Sequence, residues 1–215
     1  MSELEIVVRG NARGRYAPER GVIDIAVHLE GPVKSAVYES AVTLHSRITD
    51  ALGELEAAGA VNRWTAESVR VYSYRPYTNE GESREPMYNT RIRLDAEFGD
   101  FEKLSEFIDT WSGEEGVTID GVRWDVHEAS RRAHERELRR EAVEDAIAKA
   151  QAYSDAVGRG PVTPTLLSDP DMVDHVPSPR ARLMGAAVAG SAPSLELRAD
   201  DIEIDVAVDA RFRAE

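Results

Sequence analysis

The chain has 215 residues, 42% hydrophobic and 31% charged, the balance of an ordinary soluble globular protein with enough length to bury a sizeable core. It has no cysteine, which excludes disulfides and thiolate metal sites. A formal charge of −14 repels a phosphate backbone and argues against nucleic acid as a partner.

The amino terminus, MSELEIVVRG, has no basic stretch and only a three-residue apolar run. It therefore reads as the start of a cytoplasmic protein rather than as a signal peptide. No run approaches the roughly 18 apolar residues of a membrane span, so no integral membrane segment is expected.

Leu4, Ile6 and Val8 alternate with acidic neighbours and predict a short first strand. Residues 9–21, rich in Gly, Asn, Arg and Pro, read as a loop. Ile23, Ile25, Val27 and Leu29 alternate with Asp24, Ala26, His28 and Glu30, the pattern of a half-buried strand ended by Gly31 and Pro32. A helix over residues 33–58 follows, with Val37, Ala41, Leu44, Ile48, Leu52 and Leu55 on one face and Gly59 as its stop. Residues 67–77 and 88–98 alternate again and are joined by a polar loop, which predicts an antiparallel hairpin. Asp100 is placed to cap a short helix over 101–111, and a strand over 117–127 carries a glycine, Gly121, that marks a bulge.

Residues 130–157 form the longest amphipathic stretch, with Leu138, Ala142, Val143, Ala146, Ile147, Ala150, Tyr153 and Val157 at helical spacing. Gly158 is its C-terminal stop, and Pro161 follows. A short strand over 162–167 precedes residues 168–194, where Pro170, Pro177, Pro179 and Pro193 predict a long loop or an oligomer arm. Ile202, Ile204, Val206, Val208, Ala210 and Phe212 alternate with Glu203, Asp205, Asp209 and Arg211, giving a terminal strand with one dry and one acidic, solvent-bordering face.

The order predicts an α+β fold: an antiparallel sheet with a β-α-β-β-α-β (ferredoxin-like) unit, then a long amphipathic helix and a C-terminal strand. It reads as one domain over 1–215, with the split unit in 1–128 and the helix, Pro/Gly/Ala-rich loop and last strand in 129–215.

Signals for chemistry are weak. The five histidines (28, 45, 127, 134 and 175) have no paired-ligand spacing, so no metal and no cofactor is expected. No nucleophile elbow, phosphate loop or dinucleotide fingerprint occurs, and no catalytic residue is assigned. The carboxylates Asp200, Asp201, Glu203 and Asp205 read as a surface acidic strand. Arg131, Arg132, Arg136, Arg139 and Arg140 alternate with glutamates as a solvated helix face. More informative is an aromatic and basic cluster: Tyr72, Tyr74, Tyr77 and Tyr88 with Arg70 and Arg75 form a candidate protein-contact surface. The plainer reading is that this face packs under the long helix or the terminal segment.

Three stretches carry a resemblance to a known family. These are EIVVRG with PERGVIDIAVHLEG and ITDALGELEAAGA; GVRWDVHEA running into EAVEDAIAKAQAYSDAVGRG; and the closing DIEIDVAVDARF. Together they resemble the SIMPL-domain family of bacterial proteins over nearly the whole chain. The resemblance implies an α+β fold, homo-oligomerisation in at least some members, and no established catalytic residue. It also implies a link to envelope and oxidative stress, often in the periplasm, whereas this amino terminus reads as leaderless. The family's V-x-G-x-G is altered here to Arg9-Gly10-Asn11-Ala12-Arg13-Gly14.

Two functions follow as expectations. One is a non-enzymatic homo-oligomeric scaffold or binding protein. The other is a small-ligand module or enzyme with a pocket between the sheet and the long helix, its ligand unspecified.

Overall fold

The computed structural model describes residues 4–75, 85–170, 172 and 198–215. Its elements, in chain order, are β1 (Leu4–Tyr16), β2 (Arg20–Gly31), α1 (Lys34–Ala57), β3 (Val61–Ala66), β4 (Val71–Tyr74) and β5 (Met87–Phe98). Then come α2 (Phe101–Trp111), β6 (Val117–Asp125), α3 (Glu128–Ala156), β7 (Val162–Ser168) and β8 (Ile202–Ala214). No helix among the described residues is long and apolar enough to cross a membrane. The expected arm over 168–194 falls mostly outside the described residues, so its role as an arm does too.

The elements divide into two compact units, one built on β2 to β6 and the other on β1, α3, β7 and β8. In the first, the strands run in the order β3-β5-β2-β6, and β4 also pairs with β5. With α1 and α2 this is the split βαββαβ arrangement, with every pairing antiparallel. The even-odd alternation read in the sequence decides its core. Ile23, Ile25 and Val27 of β2 and Ile92, Leu94, Ala96 and Phe98 of β5 point to one face. There they meet Ala41, Leu44, Ile48 and Leu52 of α1 and Leu104, Phe107, Ile108 and Trp111 of α2. Each fully buried aliphatic or aromatic side chain contributes roughly 1.5–3 kcal/mol.

The second strand of this unit differs from expectation. Alternation predicts one strand over residues 67–77, but the edge is made of two pieces, β3 on residues 94–98 of β5 and β4 on residues 87–90. Between them Glu67 N–H donates to the Arg93 carbonyl and Thr90 Oγ1 donates to the Arg70 carbonyl at 2.7 Å, so the interruption keeps its polar groups satisfied. β3 reads VNRWTA, a short edge strand with little buried surface, which is why alternation did not reveal it.

In the second unit the sheet order is β1-β8-β7. Residues 9–16, expected as a loop, are strand: β1 pairs with β8 without a break from Leu4↔Ala214 to Tyr16↔Ile202. The amino-terminal strand thus joins the long helix and the last strand, rather than the 1–128 sub-region drawn from the sequence. The glycines that looked like loop punctuation answer a packing need. A Cβ on Gly10 would enter the Ala142 carbonyl oxygen and lie 2.8 Å from Ala146 Cβ, so α3 rests directly on the β1 backbone.

The buried stripe of α3 is narrower than expected. Leu138, Ala142, Ala146, Ala150 and Ser154 are covered, whereas Ile147, Tyr153 and Val157 are exposed. After Leu138 this row, one residue in every four, is made of small side chains, which let the helix backbone approach the strands closely. Tyr16 stacks on His134 with ring centroids 3.6 Å apart, which gives that histidine a packing role. Helices α1 and α3 end alike: Gly59 and Gly158 take φ of 78° and 70°. Ala60 N–H donates to the Leu55 carbonyl and Arg159 N–H to the Ser154 carbonyl, the Schellman pattern. Asp100 caps α2 by accepting from the Glu102 and Lys103 N–H groups at 3.0 and 3.1 Å.

The free edge of β1 is occupied by α3. Asp145 accepts from the Asn11 N–H at 2.8 Å, and Lys149 Nζ donates to the Arg9 carbonyl at 3.0 Å and to Asp145 at 2.6 Å. The lysine hydrogen bond, then the Asn11 amide, holds the Asp145 carboxyl below its ordinary pKa.

Candidate functional site

Each sheet has one face turned away from its helices, and the two faces handle charge differently. On the β1–β8 sheet, register sets opposite charges across from each other: Glu5↔Arg213, Arg9↔Asp209, Arg13↔Asp205 and Arg15↔Glu203. Arg9 binds Asp209 through two bonds of 2.6 and 2.9 Å, and Arg13 reaches Asp205 at 2.6 Å and Glu203 at 3.1 Å. The acidic face of β8, expected to be simply solvated, is therefore neutralised by arginines from the stretch of β1 that looked like a loop. Asp209, only 4% exposed, is the most protected carboxylate of this ladder.

On the five-stranded sheet the register does the opposite. Asp24 of β2 lies directly across from Asp95 of β5, and His28 lies across from Arg91. Like charges directly opposite in a sheet are unfavourable. At Asp24 the β2–β6 pairing slips, because the bulge at Gly121, with φ of 78°, adds a residue to β6. The bulge brings Asp120 to the same place. A depression of about 240 Å³ results, lined by Ala26 together with Asp24, Asp95, Asp120, Arg91 and Arg93. A second depression, about 430 Å³, shares Arg91 and adds Glu67, Ser68, Arg70 and Tyr72. No group of three or more His, Asp or Glu among the described residues is arranged to hold a metal ion.

The Asp24 carboxyl is pushed above its ordinary pKa, first by sharing a hydrogen bond with Asp95, then by burial and by the Asp95 and Asp120 charges, with Arg123 opposing. The folded chain therefore holds this proton more tightly than the unfolded chain does. The stability it contributes is present at low pH and is lost as pH rises from the ordinary aspartate range through the raised value. Asp24→Asn is expected to stabilise the protein at pH 7 by a few tenths to about 1 kcal/mol, the small size reflecting solvent screening. Urea midpoints measured from pH 4 to pH 7 should diverge progressively from wild type, and parallel curves would remove the pair as a source of strain.

At the other end of the face lies the cluster picked out in the sequence. Tyr72 and Tyr74 stand on the open face, paired across to Asn89 and Met87, and are 55% and 42% exposed. Arg70 and Arg75 are also exposed. Tyr74 donates to Glu30 at 2.5 Å, and this hydrogen bond raises the phenol's pKa. Tyr88 does not join them. It follows the parity of Thr90 and Ile92 and points to the opposite face, across from Ser73 and Gly31. Tyr77 lies outside the described residues.

Sequence reasoning did not single out Asp24, Asp95, Asp120, Arg91 or Arg93. All except Asp120 sat on strands whose wet faces had been assigned correctly, but which charges face each other depends on register, and a single strand's alternation does not carry it.

The SIMPL family model, described as a protein of unknown function (DUF541), matches residues 6–212. The chain belongs to the SIMPL family. No curated protein matches it. The SIMPL match reaches both compact units, so the β1–β8 ladder, apart from its outermost pairs at Leu4 and Glu5, and the open five-stranded face lie inside the family's extent.

Proposed function

We propose that this SIMPL-family protein is a non-enzymatic, homo-oligomeric scaffold or binding protein. The observation that carries this reading is the exposed face of the five-stranded sheet, where two tyrosines and several arginines and carboxylates lie uncovered. Tyrosine and arginine are the residues that anchor protein interfaces. The depressions on this face are walled by charged and polar side chains, whereas small-ligand sites are mostly apolar with a few convergent polar groups. A stress-related setting rests on the family resemblance alone.

Multi-angle light scattering of the full chain over a hundredfold range of concentration tests the reading. A defined multiple of 23.7 kDa is the expected result. A mass of one chain at every concentration would overturn it.

A further inference from the structure

We propose that the open face of the five-stranded sheet pairs with the same face of a second copy, about a two-fold axis running across the strands above the Ala26–Arg93 pair. The inference rests on the homo-oligomeric reading above and names the surface that carries it.

The first argument is unsatisfied charge. On the β1–β8 sheet Arg9, Arg13 and Arg15 each meet a carboxylate within their own unit. On the five-stranded sheet Asp24 faces Asp95, and the exposed Arg91 and Arg93 side chains make no ion pair or hydrogen bond among the described residues. Local rules broken in this way occur at functional surfaces, where a partner supplies the compensation.

The second argument is balance. The first depression sets three aspartates against Arg91 and Arg93, and the valley beside it adds Arg63, Arg123 and Glu97. Four cations thus stand with four carboxylates on a chain whose formal charge is −14. Two copies would repel through most of their surface and do not repel here.

The third argument is position. On β5 Arg91 and Asp95 lie two residues either side of Arg93, and on β2 Asp24 and His28 lie two residues either side of Ala26. A two-fold axis at the Ala26–Arg93 pair sets Arg91 over the partner's Asp95 and His28 over the partner's Asp24. Two residues of strand span about 6.7 Å, within reach of an arginine side chain. Arg93, nearest the axis, extends toward the partner's Asp24. An isologous contact repeats each of these pairs twice. With β2 and β5 of twelve residues, β6 of nine, and β3 and β4 of six and four sharing one edge, the strands cover roughly 700 Å² at their usual rise and spacing. This is close to the roughly 800 Å² per partner of a standard stable interface.

Complementary charge reversal tests the proposal. Arg91→Asp with Arg93→Asp in one chain, and Asp24→Arg with Asp95→Arg in another, should each halve the mass seen by light scattering. Mixed in equal amounts, the two should regain the wild-type mass, because positions 91 and 95, and 93 and 24, are then opposite in sign across the axis in both directions, which outweighs the one His28 that meets an arginine at position 24. Circular dichroism checks that each remains folded, and the single variants Arg91→Asp and Asp95→Arg serve if a double variant does not. Wild-type mass in the separate variants would overturn the assignment of this face while leaving the homo-oligomer standing. Folded monomers that fail to recover on mixing would overturn the two-fold pairing. A monomeric wild type would remove both.

Discussion

Replacing Gly10 with valine should destabilise the unit of β1, β8 and α3 by about 3 kcal/mol, the upper range for overpacking a filled interior. The position is buried, in the middle of a thirteen-residue strand, and its new Cβ would enter the Ala142 carbonyl oxygen. That neighbour is helix backbone, so no rotamer change relieves the overlap. Either α3 moves off the sheet and forfeits the packing of Ala146 and Ala150, or β1 breaks its register with β8. A second change, Ala146→Gly, removes the 2.8 Å contact but leaves the carbonyl in place, and little rescue is expected. The shift in urea midpoint and the amide exchange rates of β1, β8 and α3 give the reading. Wild-type exchange in these elements would show that the helix has room the structure does not give it.

Phe98→Ala should cost about 3–5 kcal/mol, as for other buried aromatic truncations. Phe98 is fully buried, its ring centroid 5.5 Å from that of Phe107, at the end of β5 where it pairs with both Gly21 of β2 and Val61 of β3. Its loss leaves a cavity beneath the junction of three strands, and the fixed backbones around it limit collapse. Denaturant titration gives the number directly. A loss below about 1.5 kcal/mol would mean that Leu104 and Phe107 refill the space.

Much of the fold was legible because the core obeys simple periods. Strand alternation at Ile23–Val27 and Ile92–Phe98 named the buried residues correctly, and Asp100 and Gly158 marked real helix ends. The misses have physical causes. The second half of β1 looked like a loop because its glycines serve a helix lying across it, a long-range fact with no local signature. The exposed Ile147, Tyr153 and Val157 were assigned to the buried stripe of α3 because helical spacing does not say how wide a stripe the sheet will cover. Tyr88 was grouped with Tyr72 by adjacency, yet parity puts it on the other face. The candidate surface was half visible: Tyr72 and Tyr74 were found by composition, whereas the confrontation of Asp24 with Asp95 exists only once two strands 71 positions apart are placed in register.

The clasp of Asp145 and Lys149 on Arg9 and Asn11 bears on how this protein can misassemble. A long outer strand with bare amides is a template on which another chain can grow a cross-β ribbon. Here one acceptor and one donor from a helix already fill an amide and a carbonyl that an incoming strand would need. The interruption falls near the middle of β1, leaving short free runs on either side. The acid–base pair that fastens the helix thus also works as a gatekeeper against fibrous growth.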